Sequence, residues 1–172
     1  DPIQGGAGTS LNMNANEVIA NRAIEILGGT LGDYDLINPN DHVNYAQSTN
    51  DVFPSSGRIT AYKLLLGAET ELKRLQAALL EKAEEFDDVI KMGRTQMQDA
   101  VPIRLGQEFA AWSFAIGRDL RRFENARQDM RFLNLGGTAI GTGINADVEY
   151  LEAVIVRLAE ITGLPLTQAD NL

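Results

Sequence analysis

Three clusters of small polar residues stand where long helices should begin or end: Gly5-Gly6-Ala7-Gly8-Thr9-Ser10, Gln47-Ser48-Thr49-Asn50-Asp51, and Gly93-Arg94-Thr95-Gln96-Met97-Gln98-Asp99-Ala100-Val101-Pro102. Hydroxyls, amides and free N–H groups at helix N-termini can hold a small dianion without a metal or a cofactor, because the donors converge and the helix dipole favours negative charge. The chemistry they suggest is that of carboxylates.

Each cluster also has a plainer reading. Ser, Thr, Asn and Asp are the usual N-cap residues, so the run from Gln47 to Asp51 can be an ordinary cap, and Thr9 or Ser10 can cap a helix starting at Leu11. In the functional reading one residue caps while Ser48, Thr49 and Asn50 turn their remaining donors toward an anion. In the third cluster Arg94 and Asp99 are expected to pair with each other, leaving Thr95 and Gln96 as ligand candidates, since a hydroxyl and an amide both donate and accept. His42 is the single histidine, so no histidine pair exists to bind a metal or relay protons. With Asn38, Asn40 and Asp41 beside it, its expected role is to order a loop. The run Gly136 to Gly143 is not a phosphate loop: no strand is expected before it and no lysine follows its glycines at the required place. Close backbone approach at a crowded turn is its expected role.

The elements that must position these residues are helices. A first helix is expected from about Leu11 to Leu27, stopped by Gly28-Gly29, and residues 30 to 47 read as a loop rich in turn formers. A long helix follows from Pro54 or Ser55 to Asp88, with an apolar seam through Ile59, Tyr62, Leu66, Leu72, Leu75, Leu79, Ala83 and Phe86. At 1.5 Å per residue it is a rod of about 50 Å that wants neighbours along its length. A loop over residues 91 to 102 ends with Pro102 at a helix start. The next helix spans about Ile103 to Leu133, with a stripe of Leu105, Phe109, Trp112, Ile116, Leu120, Phe123 and Met130. A last helix runs from about Asp147 to Thr162. No sustained period-two segment is present, so the fold class is all-α: long antiparallel amphipathic helices forming part of an oligomeric helical bundle.

Composition narrows the possible partners. The chain has 172 residues, 44% hydrophobic and 23% charged, with a net charge of −9 and no cysteine. An acidic chain without a basic stripe argues against nucleic acid and anionic membrane surfaces. No stretch approaches the roughly 18 to 20 apolar residues of a membrane span, and no signal-peptide pattern opens the chain. The reading is cytoplasmic. The start at Asp1 and the stop at Leu172 are read as the ends of a piece cut from a longer polypeptide.

In their order and spacing, the clusters closely resemble the aspartase/fumarase superfamily, and within it the aspartate ammonia-lyases. The matching blocks are Gly5 to Ser10 followed by Asn12 to Val18, then Asn38 to Asn44, Gln47 to Asp51, Gly93 to Pro102, Leu105 to Phe109 and Asn134 to Gly143. The resemblance covers essentially the whole chain. It implies an L-aspartase-like fold, with residues 1–46 as the end of the N-terminal lyase domain and residues 47–172 as a truncated part of the central helical-bundle domain.

The activity implied is reversible deamination of L-aspartate to fumarate and ammonia through an enediolate, with no cofactor and no metal ligand. By resemblance, Thr9, Ser48 and Thr49 would hold the β-carboxylate as it gains charge, and Asn50, Thr95 and Gln96 would surround the amino group. The general-base serine, on a glycine-serine-serine loop with a lysine and an asparagine, would lie beyond Leu172, so the 172 residues alone are expected to be inactive. The partners implied are the small-molecule substrate and, in the full-length parent, the other subunits of a homotetramer. Gln96 departs from the many relatives that carry histidine there, which leaves amide hydrogen bonding but puts proton transfer at that position in doubt. The first motif and the Ser-Thr-Asn-Asp form favour aspartase over fumarase. The alternatives are a fumarate hydratase or another fumarate-forming lyase, and a non-catalytic helical scaffold whose clusters are only caps.

Overall fold

The computed structural model describes Ile3 and residues 8–172, so Gly5, Gly6 and Ala7 of the first cluster lie outside the described residues. Helix α1 runs Thr9–Ile26 and buries Asn12, Asn16, Ala20 and Ile24 at steps of four, one face of a helix. Thr9 and Ser10 lie inside this helix and do not cap it, contrary to the sequence expectation; the preceding residue is Gly8, at φ 92° with no side-chain cap. Only glycine fits there, because a Cβ would lie 2.5 Å from the Phe53 ring. The loop expected over residues 30 to 47 contains one π-helical turn, Pro39–Val43. Asn38 Oδ1 accepts from the amides of Asn40 and Asp41 at 2.8 and 3.1 Å, and His42 Nδ1 accepts from Asn38 N at 2.8 Å. His42 therefore orders its loop, as its neighbours suggested.

Helix α2, Thr49–Glu85, starts at the polar cluster and carries Pro54 inside it. The expectation that Pro54 opens the helix placed the start one turn too late. Ser48 and Asp51 form a reciprocal capping box, with Ser48 Oγ accepting from Asn50 N at 3.2 Å and Asp51 Oδ1 accepting from Ser48 N at 2.9 Å. Proline has no N–H to give the Asn50 carbonyl one turn back. That carbonyl accepts instead from Asn134 Nδ2 at 3.1 Å.

The chain divides into two compact units, residues 1–60 with 130–172 and residues 61–129. Helix α2 runs through the first cut, between residues 60 and 61. In the second unit, the rest of α2 packs against α3, Leu105–Asp129. The helices are antiparallel: Gly106 meets Ala83, Ser113 meets Gln76, and Arg127 meets Glu69 and Tyr62. The covered positions along α2 alternate steps of three and four: Tyr62, Leu65, Glu69, Leu72, Gln76, Leu79 and Ala83, with Phe86 one residue past its end. On α3 they are Gly106, Phe109, Ser113, Ile116, Leu120, Phe123 and Arg127. This is a heptad seam. It corrects the sequence stripes, because Leu66, Leu75 and Trp112 are 42, 46 and 51% exposed while Glu69, Gln76 and Ser113 take the seam.

The segment expected as a loop over 91 to 102 is an antiparallel hairpin of β1, Ile90–Thr95, and β2, Gln98–Arg104. Pro102 pairs with Met92 within β2 and opens no helix. The register shifts between Met92 and Arg94, at Gly93, where a Cβ would meet the Val101 carbonyl at 2.7 Å. Glycine, proline and charged residues hide the period of two that marks a strand.

The first unit holds a core of Leu133, Leu135, Ile155 and Leu166, with Val52, Ile59, Val154 and Leu158 packed against it. Leu133 lies in a two-residue strand β3, Phe132–Leu133, which pairs in parallel with β4, Thr167–Gln168. The expectation that α3 continues to Leu133, with no strand before the glycine-rich run, is thus corrected. Helix α4, Val148–Thr162, closes at Gly163, φ 65°. Between β3 and α4, a Cβ on Gly141 would lie 2.2 Å from the Leu172 carbonyl oxygen, the close approach expected of that run. The architecture is all-α, with short strands only at its connections. No described helix is long and apolar enough to cross a membrane.

Candidate functional site

At the start of α2, the capping box decides which donors stay available. The amides of Asp51 and Val52 reach the Ser48 carbonyl at 3.2 and 3.0 Å, and that of Asn50 reaches Ser48 Oγ. These three N–H groups are consumed within the turn, which leaves fewer free helix amides than expected from sequence. The hydroxyls of the turn are donors as well. Ser48 Oγ accepts an N–H, and Thr49 Oγ1 accepts from Asn12 Nδ2 at 3.2 Å. Each hydroxyl hydrogen is left to donate elsewhere.

Thr49 is held by a network of asparagines that lie in the matching sequence blocks but were not among the candidate site residues. Asn12 Nδ2 and Asn16 Nδ2 donate to Asn44 Oδ1 at 3.1 and 3.0 Å, and Asn44 Nδ2 donates to the Gln47 carbonyl at 3.4 Å. Besides those blocks, the signal is two asparagines four residues apart on the covered face of α1, where apolar residues are the norm. Because Gly8 packs on Phe53 and Asn12 reaches Thr49, the start of α1 is fixed to the first turn of α2. Thr9 is exposed between those two anchor points.

Beside this turn lies a depression of about 430 Å³, walled on one side by Asn44, Gln47, Ser48 and Thr49 and on the other by Thr138, Ala139, Ile144 and Asn145. Among the described residues, no charged side chain lines it. Asn50 donates to the Ala139 carbonyl at 3.4 Å, which ties its amide to the far wall. Ser48, Thr49 and Asn50 are therefore brought together. Thr95 and Gln96 belong to the other compact unit, exposed at the hairpin tip. Gln96 and Met97 form its two-residue turn, both left-handed, at φ 51° and 63°. Arg94 Nε pairs with Asp99 Oδ1 at 3.1 Å, the structural role expected of them. Among the described residues, no group of three or more His, Cys, Asp and Glu side chains could hold a metal ion.

The chain belongs to the lyase family, whose model matches residues 1–172. Within that family its relatives include aspartate ammonia-lyases. It is 57% identical to the aspartate ammonia-lyase of Bacillus subtilis (strain 168), 52% to that of Helicobacter pylori (strain ATCC 700392 / 26695) and 47% to that of Escherichia coli (strain K12), each over the whole chain. The chain spans only 36 to 37% of the length of these relatives. Among solved structures, a fumarate lyase:delta crystallin from Brucella melitensis bound to cobalt matches with a TM-score of 0.92 and 55% identity over all of this chain and 37% of that one. A class II fumarase from Schistosoma mansoni matches with a TM-score of 0.84 and 33% identity over 95% of this chain and 38% of that one.

Proposed function

We propose that this chain is part of an aspartate ammonia-lyase that interconverts L-aspartate with fumarate and ammonia through an enediolate. The observation that carries the reading is the pair of hydroxyls at the start of α2: the oxygens of Ser48 and Thr49 already accept N–H groups, so their hydrogens are preset to donate. Donors fixed before the reaction stabilise charge that develops on a carboxylate, and losing one costs on the order of 100- to 1000-fold in rate. The names of the relatives supply the substrate class.

In this reading Thr9, Ser48 and Thr49 bind the β-carboxylate and its enediolate, while Asn50, Thr95 and Gln96 surround the amino group. The proton-abstracting base comes from outside these 172 residues, which are inactive by themselves. Residues 47–172 belong to the central bundle of a cytoplasmic homotetramer, in which subunits cover exposed apolar side chains such as Leu66, Leu75, Trp112 and Phe114.

The test is to supply the complete polypeptide carrying these residues with aspartate and, separately, with malate, and to follow fumarate absorbance. Fumarate from aspartate supports the reading; fumarate from malate alone replaces it with a fumarate hydratase, which the match to a class II fumarase makes the second reading. Ser48→Ala and Thr95→Ala should each lower the rate at least 100-fold. A pure cap at Ser48 would instead cost about 1 kcal/mol of stability and nothing in rate.

A further inference from the structure

Asp51 is 1% exposed, yet it neighbours a site read as binding a dianion. A buried carboxylate there would repel the substrate unless its charge were already satisfied. It is satisfied by backbone N–H groups from two segments. Oδ1 accepts from Ser48 N at 2.9 Å, and Oδ2 accepts from Gly136 N at 3.3 Å and Thr138 N at 2.9 Å. A single side chain thus fixes the near wall of the 430 Å³ depression, at Ser48, and its far wall, at Thr138.

A second tie runs parallel to the first. Pro54 deprives the Asn50 carbonyl of its helical donor, and Asn134 Nδ2 takes that place at 3.1 Å, while Asn134 Oδ1 accepts from Ser55 Oγ at 3.5 Å. Thr138, whose N–H is one of the Asp51 partners, is held at φ 58°, a conformation rare for a β-branched residue. Its hydroxyl donates to the Ile144 carbonyl at 3.3 Å, which carries the constraint on to the rest of the far wall.

We propose that Asp51 and Asn134 are positioning residues: together they clamp the 134–145 segment onto the first turn of α2 and so set the width of the pocket for a four-carbon dicarboxylate. The proposal rests on the reading of that pocket as the aspartate site. Neither residue touches substrate; both act through Ser48, Asn50 and Thr138.

The experiment uses the complete polypeptide with Asp51→Asn and Asn134→Ala, measuring kcat and KM for aspartate alongside the folded fraction by circular dichroism. In Asp51→Asn the amide nitrogen must face one set of peptide N–H groups, which opens the clamp on that side. Asn134→Ala leaves the capping box intact and frees the Asn50 carbonyl. The clamp predicts that KM rises at least tenfold in each folded variant. A purely structural role lowers the folded fraction and the apparent kcat but leaves KM unchanged. A KM within about twofold of wild type in folded Asp51→Asn overturns the proposal, and so does the same result in Asn134→Ala, which decides alone if Asp51→Asn does not fold. A wild-type polypeptide that makes no fumarate from aspartate defeats the functional reading instead, before either variant is measured.

Discussion

Arg127 Nε donates to Glu69 Oε1 at 2.7 Å inside the α2–α3 seam, where the two side chains are only 15 and 10% exposed. Its Nη1 also reaches Tyr62 Oη at 3.2 Å. The hydrogen bond to Glu69 holds the guanidinium pKa above its ordinary value, against the opposing pull of burial. Removing one member of such a pair leaves a charge stranded in the seam. Glu69→Ala should therefore destabilise the fold by about 3–5 kcal/mol, whereas Glu69→Leu combined with Arg127→Met should come close to wild type. Urea unfolding of the three proteins is the measurement; a single variant as stable as wild type would contradict it.

Two glycines of α3 should respond differently to a methyl group. A Cβ at Gly106 would lie 2.2 Å from the Ala83 carbonyl oxygen and 3.1 Å from the Asp87 backbone, neither of which can yield without moving the helix. At Gly117 it would meet the end of the flexible Gln76 side chain at 2.6 Å. Gly106→Ala should cost about 1–3 kcal/mol by overpacking. Gly117→Ala should be neutral, or stabilising by up to about 1 kcal/mol through helix propensity. Denaturant midpoints for the pair decide the matter, and equal losses would show that the seam is looser at Gly106 than these distances say.

The turn between β1 and β2 places Met97 at φ 63°, with the residue 92% exposed. Left-handed backbone costs an ordinary residue roughly 1–2 kcal/mol, and a residue this exposed has little packing among the described residues to offset the cost. Met97→Gly should raise stability by about 1 kcal/mol. A thermal scan that finds the variant less stable would mean that Met97 has a partner beyond the described residues.

Tyr150 borders an apolar cavity of about 220 Å³ with Val52, Ile59, Leu135, Val154 and Leu158. Burial raises its phenol pKa above 10.0, and the nearby charge of Asp51 adds to the effect. The folded state therefore holds the phenolic proton more tightly than the unfolded chain does. The associated stability is complete below about pH 10 and is lost as pH rises through the folded value. Tyr150→Phe should flatten this alkaline loss. Unfolding free energies for both proteins between pH 8 and 11 provide the check; identical slopes would rule it out.

Helix content was legible from sequence because it follows from local periodicity, and α1 and α4 fall close to their expected spans. The hairpin at Ile90–Arg104 was not legible. Its Gly93, Pro102 and charged residues erase the alternation of a strand, and its turn uses Gln96-Met97 in place of a glycine-containing pair. The start of α2 was misread for a similar reason. Pro54 favours a helix opening locally, and what allows it inside the helix is Asn134, eighty residues away. In the candidate site, Ser48, Thr49 and Asn50 announce themselves by type. Asn12, Asn44 and Asp51 have capping or solvent-facing types and gain their roles only from their partners.

The sequence by itself determined the helical class, the rods at α2 and α3, the polar clusters at their ends and the family, because each follows from residue type and from spacing along one chain. The tertiary structure alone decided which polar residues enter the α2–α3 seam, which helix amides are already spent, and how Asp51 joins Ser48 to Thr138. A hydrogen bond between segments far apart in sequence leaves no periodic trace in either of them; it depends on where the backbone brings a donor and an acceptor face to face.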